Sequence, residues 1–256
     1  MGWSAKQYLA FEDERTRPVR DLLSALPDMN ARSIIDLGCG PGNSTELLAA
    51  RFPGAAVSGI DSSPDMIAAA RRRLPQVEFA ITRIEAWNDP GPFDVILANA
   101  VLQWVPDHGG LLPALVGRLA AGGGLAIQMP DNLEAPAHRL MREVAADGPW
   151  REILAPASAA RTPIGDADGY YRVLSPLCTR VDIWQTTYYH PLSGGAAAIV
   201  EWFKGSGLRP FLEPLDAPSR AAYLERYTAA VAKAYPTLPD GSVLLPFPRL
   251  FVVAVR

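Results

Sequence analysis

Cysteine is nearly absent from this chain of 256 residues: the two that occur, Cys39 and Cys178, cannot build a disulfide framework. Histidine is also scarce, with 3 residues. With no CxxC pair and no His/Cys cluster at ligand spacing, neither a zinc site nor any other metal site is expected. No apolar run approaches the roughly 20 residues that span a bilayer, and the N-terminus lacks the apolar core of a signal peptide. The formal net charge is only −3, too weak a field to gather nucleic acid or an anionic membrane. These absences leave a reducing cytoplasm as the expected compartment and a small molecule as the expected partner, with no nucleic acid and no membrane.

What is present is 49% hydrophobic and 20% charged, the balance of a soluble globular protein, at a length that fits one α/β domain with embellishments. The chain is organised around residues 33–44. Ile34, Ile35 and Leu37 read as a strand buried on both faces, and Gly38, Gly40 and Gly42 follow as a turn that lets a ligand approach the backbone. Asn43 or Ser44 then caps a helix over 46–51, whose N-terminal N–H groups favour a carboxylate or phosphate. A dinucleotide fingerprint needs G-x-G-x-x-G, with a glycine where Asn43 stands; this chain has G-x-G-x-G. That spacing, preceded by Asp36, resembles motif I of the class I S-adenosylmethionine-dependent methyltransferases. A second strand over 56–60 ends in Asp61, placed to receive two ribose hydroxyls.

Before the glycine turn, Trp3, Tyr8, Leu9 and Phe11 precede the helical face Leu22, Leu23, Leu26. This reads as a helix packed on the sheet, or as a lid that brings Arg15 or Arg17 to the site. From 33 to 129 strands and helices alternate with short loops, which predicts right-handed crossovers and a parallel sheet. Ser63 and Pro64 start a helix with Met66, Ala70 and Leu74 on one face and Arg71, Arg72 and Arg73 as its solvated end. Strands are expected over 77–81, 93–98 and 125–129, with a helix through Leu112, Leu115, Val116 and Leu119 and a turn at 122–124. Beyond it, 131–146 reads as helix and 148–168 as a mobile segment that closes over ligand. Residues 170–177 and 196–235 are helical, and 181–189 and 250–255 are late strands that form an antiparallel edge around a cap. The expected fold is α/β: a doubly wound, mostly parallel seven-stranded sheet with an antiparallel edge strand and a helical cap. One domain over 1–256 is expected, with 30–130 as the cofactor core and 1–29, 131–180 and 191–247 as cap and substrate-covering segments.

Motifs along the whole chain, cap included, sharpen the resemblance: D-L-G-C-G-P-G-N-S-T (36–45), G-I-D-S-S-P-D-M-I (59–67), A-N-A-V-L-Q-W-V-P-D-H (98–108), Q-M-P-D-N (128–132), V-D-I-W-Q-T-T-Y-Y-H (181–190), S-G-L-R-P (206–210) and F-P-R-L-F (247–251). Together they resemble the trans-aconitate 2-methyltransferase family. The resemblance implies a Rossmann-like bacterial cytosolic enzyme that carries a methyl group from S-adenosyl-L-methionine to a carboxylate, leaving a methyl ester and S-adenosyl-L-homocysteine. It assigns Gly38, Gly40, Gly42 and Asp36 to the methionine end of the cofactor and Asp61 and Ser62 to the ribose. The resemblance also places Asn99, Ala100, Leu102, Gln103 and Trp104 in the wall around sulfonium and acceptor. Where relatives often carry an acid for the adenine amino group this chain has Arg83, which accepts no hydrogen bond, so Ile84, Trp87 or the backbone takes the base.

A carboxylate with a pKa of about 4 is already an anion at neutral pH, so no general base is expected, and Gln103 and Trp104 act by positioning. A polycarboxylate asks for cations and donors in a sheltered pocket. The candidates are Arg17, Arg172, Arg209 and Arg249, with Trp104, Tyr171, Tyr188, Tyr189 and His190, and Arg209 and Arg249 rank first because prolines and aromatics flank them. Methyl transfer to an amine or carbon acid, and cofactor binding without catalysis, stay open as alternatives.

Overall fold

The structure, a computed structural model, describes residues 12–256. Trp3, Tyr8, Leu9, Phe11 and the side chain of Arg15 lie outside the described residues. In chain order the elements are α1 (Glu12–Ser24), β1 (Ser33–Leu37), α2 (Asn43–Arg51), β2 (Ala56–Asp61), α3 (Pro64–Arg73), β3 (Glu78–Ile81), β4 (Phe93–Asn99), α4 (His108–Gly117) and β5 (Leu119–Pro130). Then come α5 (Pro136–Ala146), α6 (Arg151–Ala159), α7 (Ala167–Leu174), β6 (Arg180–Ser193), α8 (Ala196–Lys204), α9 (Arg209–Leu212), α10 (Ala217–Ala234) and β7 (Ser242–Val255).

The strands form one sheet in the order β3-β2-β1-β4-β5-β7-β6. β1 has parallel neighbours on both sides, with Asp36 opposite Gly59 of β2 and Leu97 of β4. It therefore loses water from both faces, which is why it reads as an unbroken apolar run interrupted only by Asp36. The chain leaves β1 through β2 and β3, then crosses to β4 on the other side. That reversal of direction falls at the carboxyl ends of β1 and β4, where sheets of this kind bind ligands. Gly122 N–H donates to the Arg256 carbonyl and Arg256 N–H to the Gly123 carbonyl, so β7 runs against β5. The mostly parallel, doubly wound sheet with its antiparallel edge is the expected one.

Several boundaries differ from the expected ones. β5 starts at Leu119, not after the glycines: Phe93 pairs with Leu119 and Val95 with Gly124, and the register shift between them absorbs Gly122 and Gly123 as a bulge. α2 starts at Asn43 behind Gly42, whose left-handed φ of 93° makes the turn with no side-chain cap. Ser44 is engaged elsewhere, as described below. α3 begins as expected, with Ser63 accepting from Met66 N–H and Pro64 in the first turn; its terminal Arg71 and Arg73 bond the Phe79 carbonyl and Glu46.

The chain divides into two compact units. The first comprises the described residues up to Met129 with Ile164–Thr186 and Leu250–Arg256; the second is Pro130–Pro163 with Thr187–Arg249. Residues 164–180, expected with the cap, cluster instead with the first unit: Tyr170 and Leu174 of α7 are buried in the cluster of Ile96, Leu115, Ile127 and Val252. In the same unit α1 packs beside α2, burying Val19, Leu22 and Leu23. Cys39 packs with Ile67, Ala70 and Phe79, a small core residue whose thiol burial pushes far up.

In the second unit α10 packs on α5 and α8. Buried tyrosines join these helices: Tyr223 Oη donates to the Met141 carbonyl at 2.9 Å, and Tyr227 Oη to the Ala137 carbonyl at 3.1 Å. The segment 148–168, expected to be mobile, holds α6, and Trp150 and Leu154 within it are core residues. No helix among the described residues is long and apolar enough to cross a membrane. Tyr223→Phe keeps the ring and loses one hydrogen bond, so unfolding in urea should show a loss of about 1 kcal/mol. Tyr223→Ala also leaves a cavity and should lose about 3–5 kcal/mol.

Candidate active site

The glycine turn at the end of β1 is shaped by contacts particular to each glycine. Gly38 (φ +68°) has no room for a side chain, since a Cβ there meets Val101 Cγ2 at 2.3 Å. Gly40 (φ +54°) faces open space, with nothing within 4 Å of a Cβ position. The loop after β4 therefore packs on the first glycine while the second stays clear for a ligand to approach.

Asp36 is fully buried, and both Ser44 Oγ and Thr45 Oγ1 donate to its Oδ2 at 2.7 Å. Its Oδ1 is buried with no hydrogen-bond partner. Burial raises the carboxyl from 3.8 to about 7 against the lowering effect of the two hydroxyls, and the charge of Asp61 adds to the rise. Asp61 at the end of β2 accepts from Gly40 N–H at 3.0 Å on Oδ2 and from Ser63 N–H at 2.8 Å on Oδ1. Burial raises its pKa as well, and the N–H groups of Ser63, Gly40 and Ser62 oppose the rise. Ser62 itself is exposed.

Beyond β4, Ala100 takes a left-handed φ of 54°, held by its N–H bond to the Gln128 carbonyl at 2.8 Å. A non-glycine residue in that region carries about 1–3 kcal/mol of strain, a cost that clusters at functional sites. The Asn99 Oδ1 and Gln103 Oε1 atoms are buried without hydrogen-bond partners, although Gln103 Nε2 donates to the Ala100 carbonyl at 2.7 Å. Leu102 is fully buried and Trp104 partly so. His108 pins this turn: its Nε2 lies 2.9 Å from the Leu102 carbonyl and its Nδ1 2.7 Å from Tyr170 Oη. A carbonyl only accepts, so Nε2 carries the proton and Nδ1 accepts from the tyrosine. Tyr170 Oη in turn accepts from Gly165 N–H at 3.0 Å.

Of the residues expected near adenine, Ile84 is buried in the turn after β3, and Arg83 lies exposed in an ion pair with Glu85. Trp87 is corrected: it packs against Phe93 at 5.5 Å and under the Arg118 guanidinium at 4.4 Å. Those partners mark the amino end of β4, away from the carboxyl ends.

In the second unit, the structure gathers Arg249, Tyr188 and His190 into one buried aromatic cluster. The Arg249 guanidinium lies 4.6 Å from the Phe247 ring centroid and 5.9 Å from that of Tyr188. His190 stacks on Trp202 at 4.7 Å. Arg209 is corrected in rank: Nε and Nη2 both donate to Glu213 Oε1 at 2.7 Å, so its charge is already balanced. In the first unit Arg172 is an exposed partner of Asp168, Tyr171 is 53% exposed, and Arg17 is exposed on α1. Tyr189 of the second unit points outward at 61% exposure. Sequence reasoning missed Ser44 and Thr45, which stand inside the quoted motif, and His108, which ends another. It also missed Asn132, which ends a third quoted motif, and Tyr170, His138 and Arg161, for which no periodicity or motif singled out a role.

A reversal of strand order beside β1, a G-x-G-x-G turn, one acid within β1 and another ending β2, and a strained turn after β4 are the features of a Rossmann-like methyltransferase. A family model described as a methyltransferase domain matches residues 34–123. The fold is also that of the YcgJ protein from Bacillus subtilis, with a TM-score of 0.61 at 10% identity over 94% of this chain and 98% of that one. The trans-aconitate 2-methyltransferase of Rhodopseudomonas palustris BisB5 is 56% identical over 254 residues, covering 99% of both chains. That of Methylobacterium nodulans is 57% identical over 99% of this chain and 98% of its own. The chain belongs to the trans-aconitate 2-methyltransferase family.

Asp36 makes stability depend on pH with a definite sign. Below about pH 4 the folded and unfolded chains both hold its proton. As pH rises toward 7 the unfolded chain releases the proton while the folded chain, with its pKa raised to about 7, keeps it, so stability falls. Above that window the difference is constant. The melting temperature of the cofactor-free protein, taken relative to Asp36→Asn, should therefore drop between pH 4 and 7 and level off by pH 8. Parallel curves for the two proteins would mean that Asp36 is already ionised at low pH.

Proposed function

We propose that this protein transfers the methyl group of S-adenosyl-L-methionine to a carboxylate of trans-aconitate, forming a monomethyl ester. The observation that carries the reading is identity of 56% across 99% of the chain, which spans the second unit as well as the cofactor core. The first unit fits the cofactor on its own chemistry. Buried Asp36 Oδ1, Asn99 Oδ1 and Gln103 Oε1 are acceptors without donors, and the ligand brings an ammonium and a sulfonium. When bound, the cofactor supplies an electrophilic methyl and S-adenosyl-L-homocysteine as the leaving group.

In this reading Gly38, Gly40 and Gly42 line the methionine end and Asp36 meets the ammonium. Asp61 and Ser62 hold the ribose, and Ile84 flanks the base. Asn99 and Ala100 belong to the cofactor wall, and Gln103 and Trp104 orient the attacking oxygen. No residue is asked to take a proton, because the acceptor is already ionised; the chain's contribution is alignment and exclusion of water. For the acceptor's negative charge, buried Arg249 ranks first, with Tyr188 and His190 beside it. Arg209, Tyr171 and Arg17 rank below it, for the reasons of pairing and exposure given above.

Incubation with methyl-labelled cofactor and a panel of small acids tests the proposal. Base-labile label in trans-aconitate is expected; base-stable label in another acceptor, or binding without turnover, overturns it. The single-turnover rate at saturating cofactor should stay flat from about pH 6 to 9. A rate climbing tenfold per pH unit would reveal a catalytic base. Asp61→Ala removes a charged acceptor worth roughly 1.5–3 kcal/mol and also frees the Gly40 and Ser63 N–H groups, so cofactor affinity by calorimetry should fall at least tenfold.

A further inference from the structure

The second unit holds a buried polar group of which the quoted motifs contain only Asn132. Asn132 and His138 are buried at 3% and 6% exposure, and Arg161 reaches both. Its Nη1 lies 3.3 Å from Asn132 Oδ1 and 3.3 Å from His138 Nε2. Guanidinium has only donors, so Nε2 of His138 accepts and the imidazole proton sits on Nδ1. Burial and the positive charges of Arg161 and Arg142 hold the ring neutral, with its pKa pushed down to about 3. His138 Nδ1–H is therefore a buried donor with no acceptor. The site of this ring is built: a Cβ on Gly207 meets His138 Nε2 at 2.8 Å, and the ring stands edge-on to Phe203 at 4.7 Å. Burial and Arg142 also lower the pKa of Arg161 to about 10, which marks a locally positive field. The charge of Asp131 opposes this lowering. Its N–H donates to the Pro248 carbonyl at 2.9 Å, which sets Asn132 and Arg249 each one residue from a shared backbone bond.

We infer that Arg161, His138 and Asn132 form a carboxylate-binding subsite, which selects acceptors carrying more than one carboxylate by holding a group that is not methylated. Its occupant is an acceptor-only anion: it takes the Nδ1–H of His138 and a charge-assisted bond from Arg161, while Asn132 orients the guanidinium. Assigning the anion to the methyl acceptor rests on the function proposed above. The anion site itself does not.

Two measurements keep these apart. Tricarballylate, a saturated tricarboxylate, is titrated without cofactor into the wild type, Arg161→Met and His138→Phe by calorimetry. Binding to the wild type weakened at least tenfold in both variants supports the subsite, whatever the transfer assay gives. In the wild type, 15N imidazole spectra should show one of the 3 histidines, His138, with its Nδ1–H signal moving downfield as tricarballylate is added. This reading needs no substitution to fold. Unchanged affinity in the variants, or a His138 signal that does not move at saturation, overturns the subsite. With trans-aconitate as acceptor, Arg161→Met should raise KM at least tenfold with kcat nearly intact, and Arg161→Lys should recover part of the loss. With a dicarboxylate that lacks the held group, wild type and Arg161→Met should give the same KM. Label transfer absent from the wild type, with the calorimetric pattern intact, would reject the proposed reaction and leave the anion site standing.

Discussion

The pair of hydroxyl bonds from Ser44 and Thr45 to one oxygen of Asp36 is the constraint on which the first unit depends. It ties the middle of β1 to the first turn of α2, and the glycine turn between them has to close over that distance. The consequences are local and connected. Ser44 is spent on Asp36 and caps nothing, so α2 starts from Gly42 in a left-handed conformation. Gly40 N–H is fixed by Asp61 of the neighbouring strand, and Gly38 lies against Val101 from the loop after β4. The turn is thus held from β1, β2 and β4 together, and a ligand lying on it meets a backbone that has little to reorganise.

The two units treat charge in opposite ways. The first buries the acceptor oxygens of Asp36, Asn99 and Gln103 without hydrogen-bond partners, which is costly until a donor reaches them. The second buries cations and N–H donors, in Arg249, Arg161 and His138, among aromatic rings.

Much of the first unit was legible because short-range rules decide it. An apolar run followed by alternate glycines reads as a buried strand and a ligand turn, and Ser63-Pro64 reads as a helix start, without knowledge of any distant contact. The resemblance of the motifs carried the family. The cap was harder. Pro and Ala in 148–168 suggested a loop, yet Leu154 and Trp150 have packing partners far along the chain that make α6 worth forming. Arg209 and Arg172 looked available, but each has an acid four residues away on its helix, Glu213 and Asp168. That spacing was on the page and marks both as helix-surface pairs.

By itself the sequence determined the alternating strands and helices and the glycine turn with its acids at 36 and 61. These are local properties, set by side-chain period, backbone freedom and residue chemistry. The tertiary structure alone decided which arginines are buried, that Trp87 belongs to the core, that 164–180 packs with the cofactor unit, and that His138 keeps its proton on Nδ1. Each of these depends on groups separated in sequence by tens of residues, such as Gly207 making room for His138. Burial and charge are fixed by what surrounds a side chain in space, and no period along the chain records that.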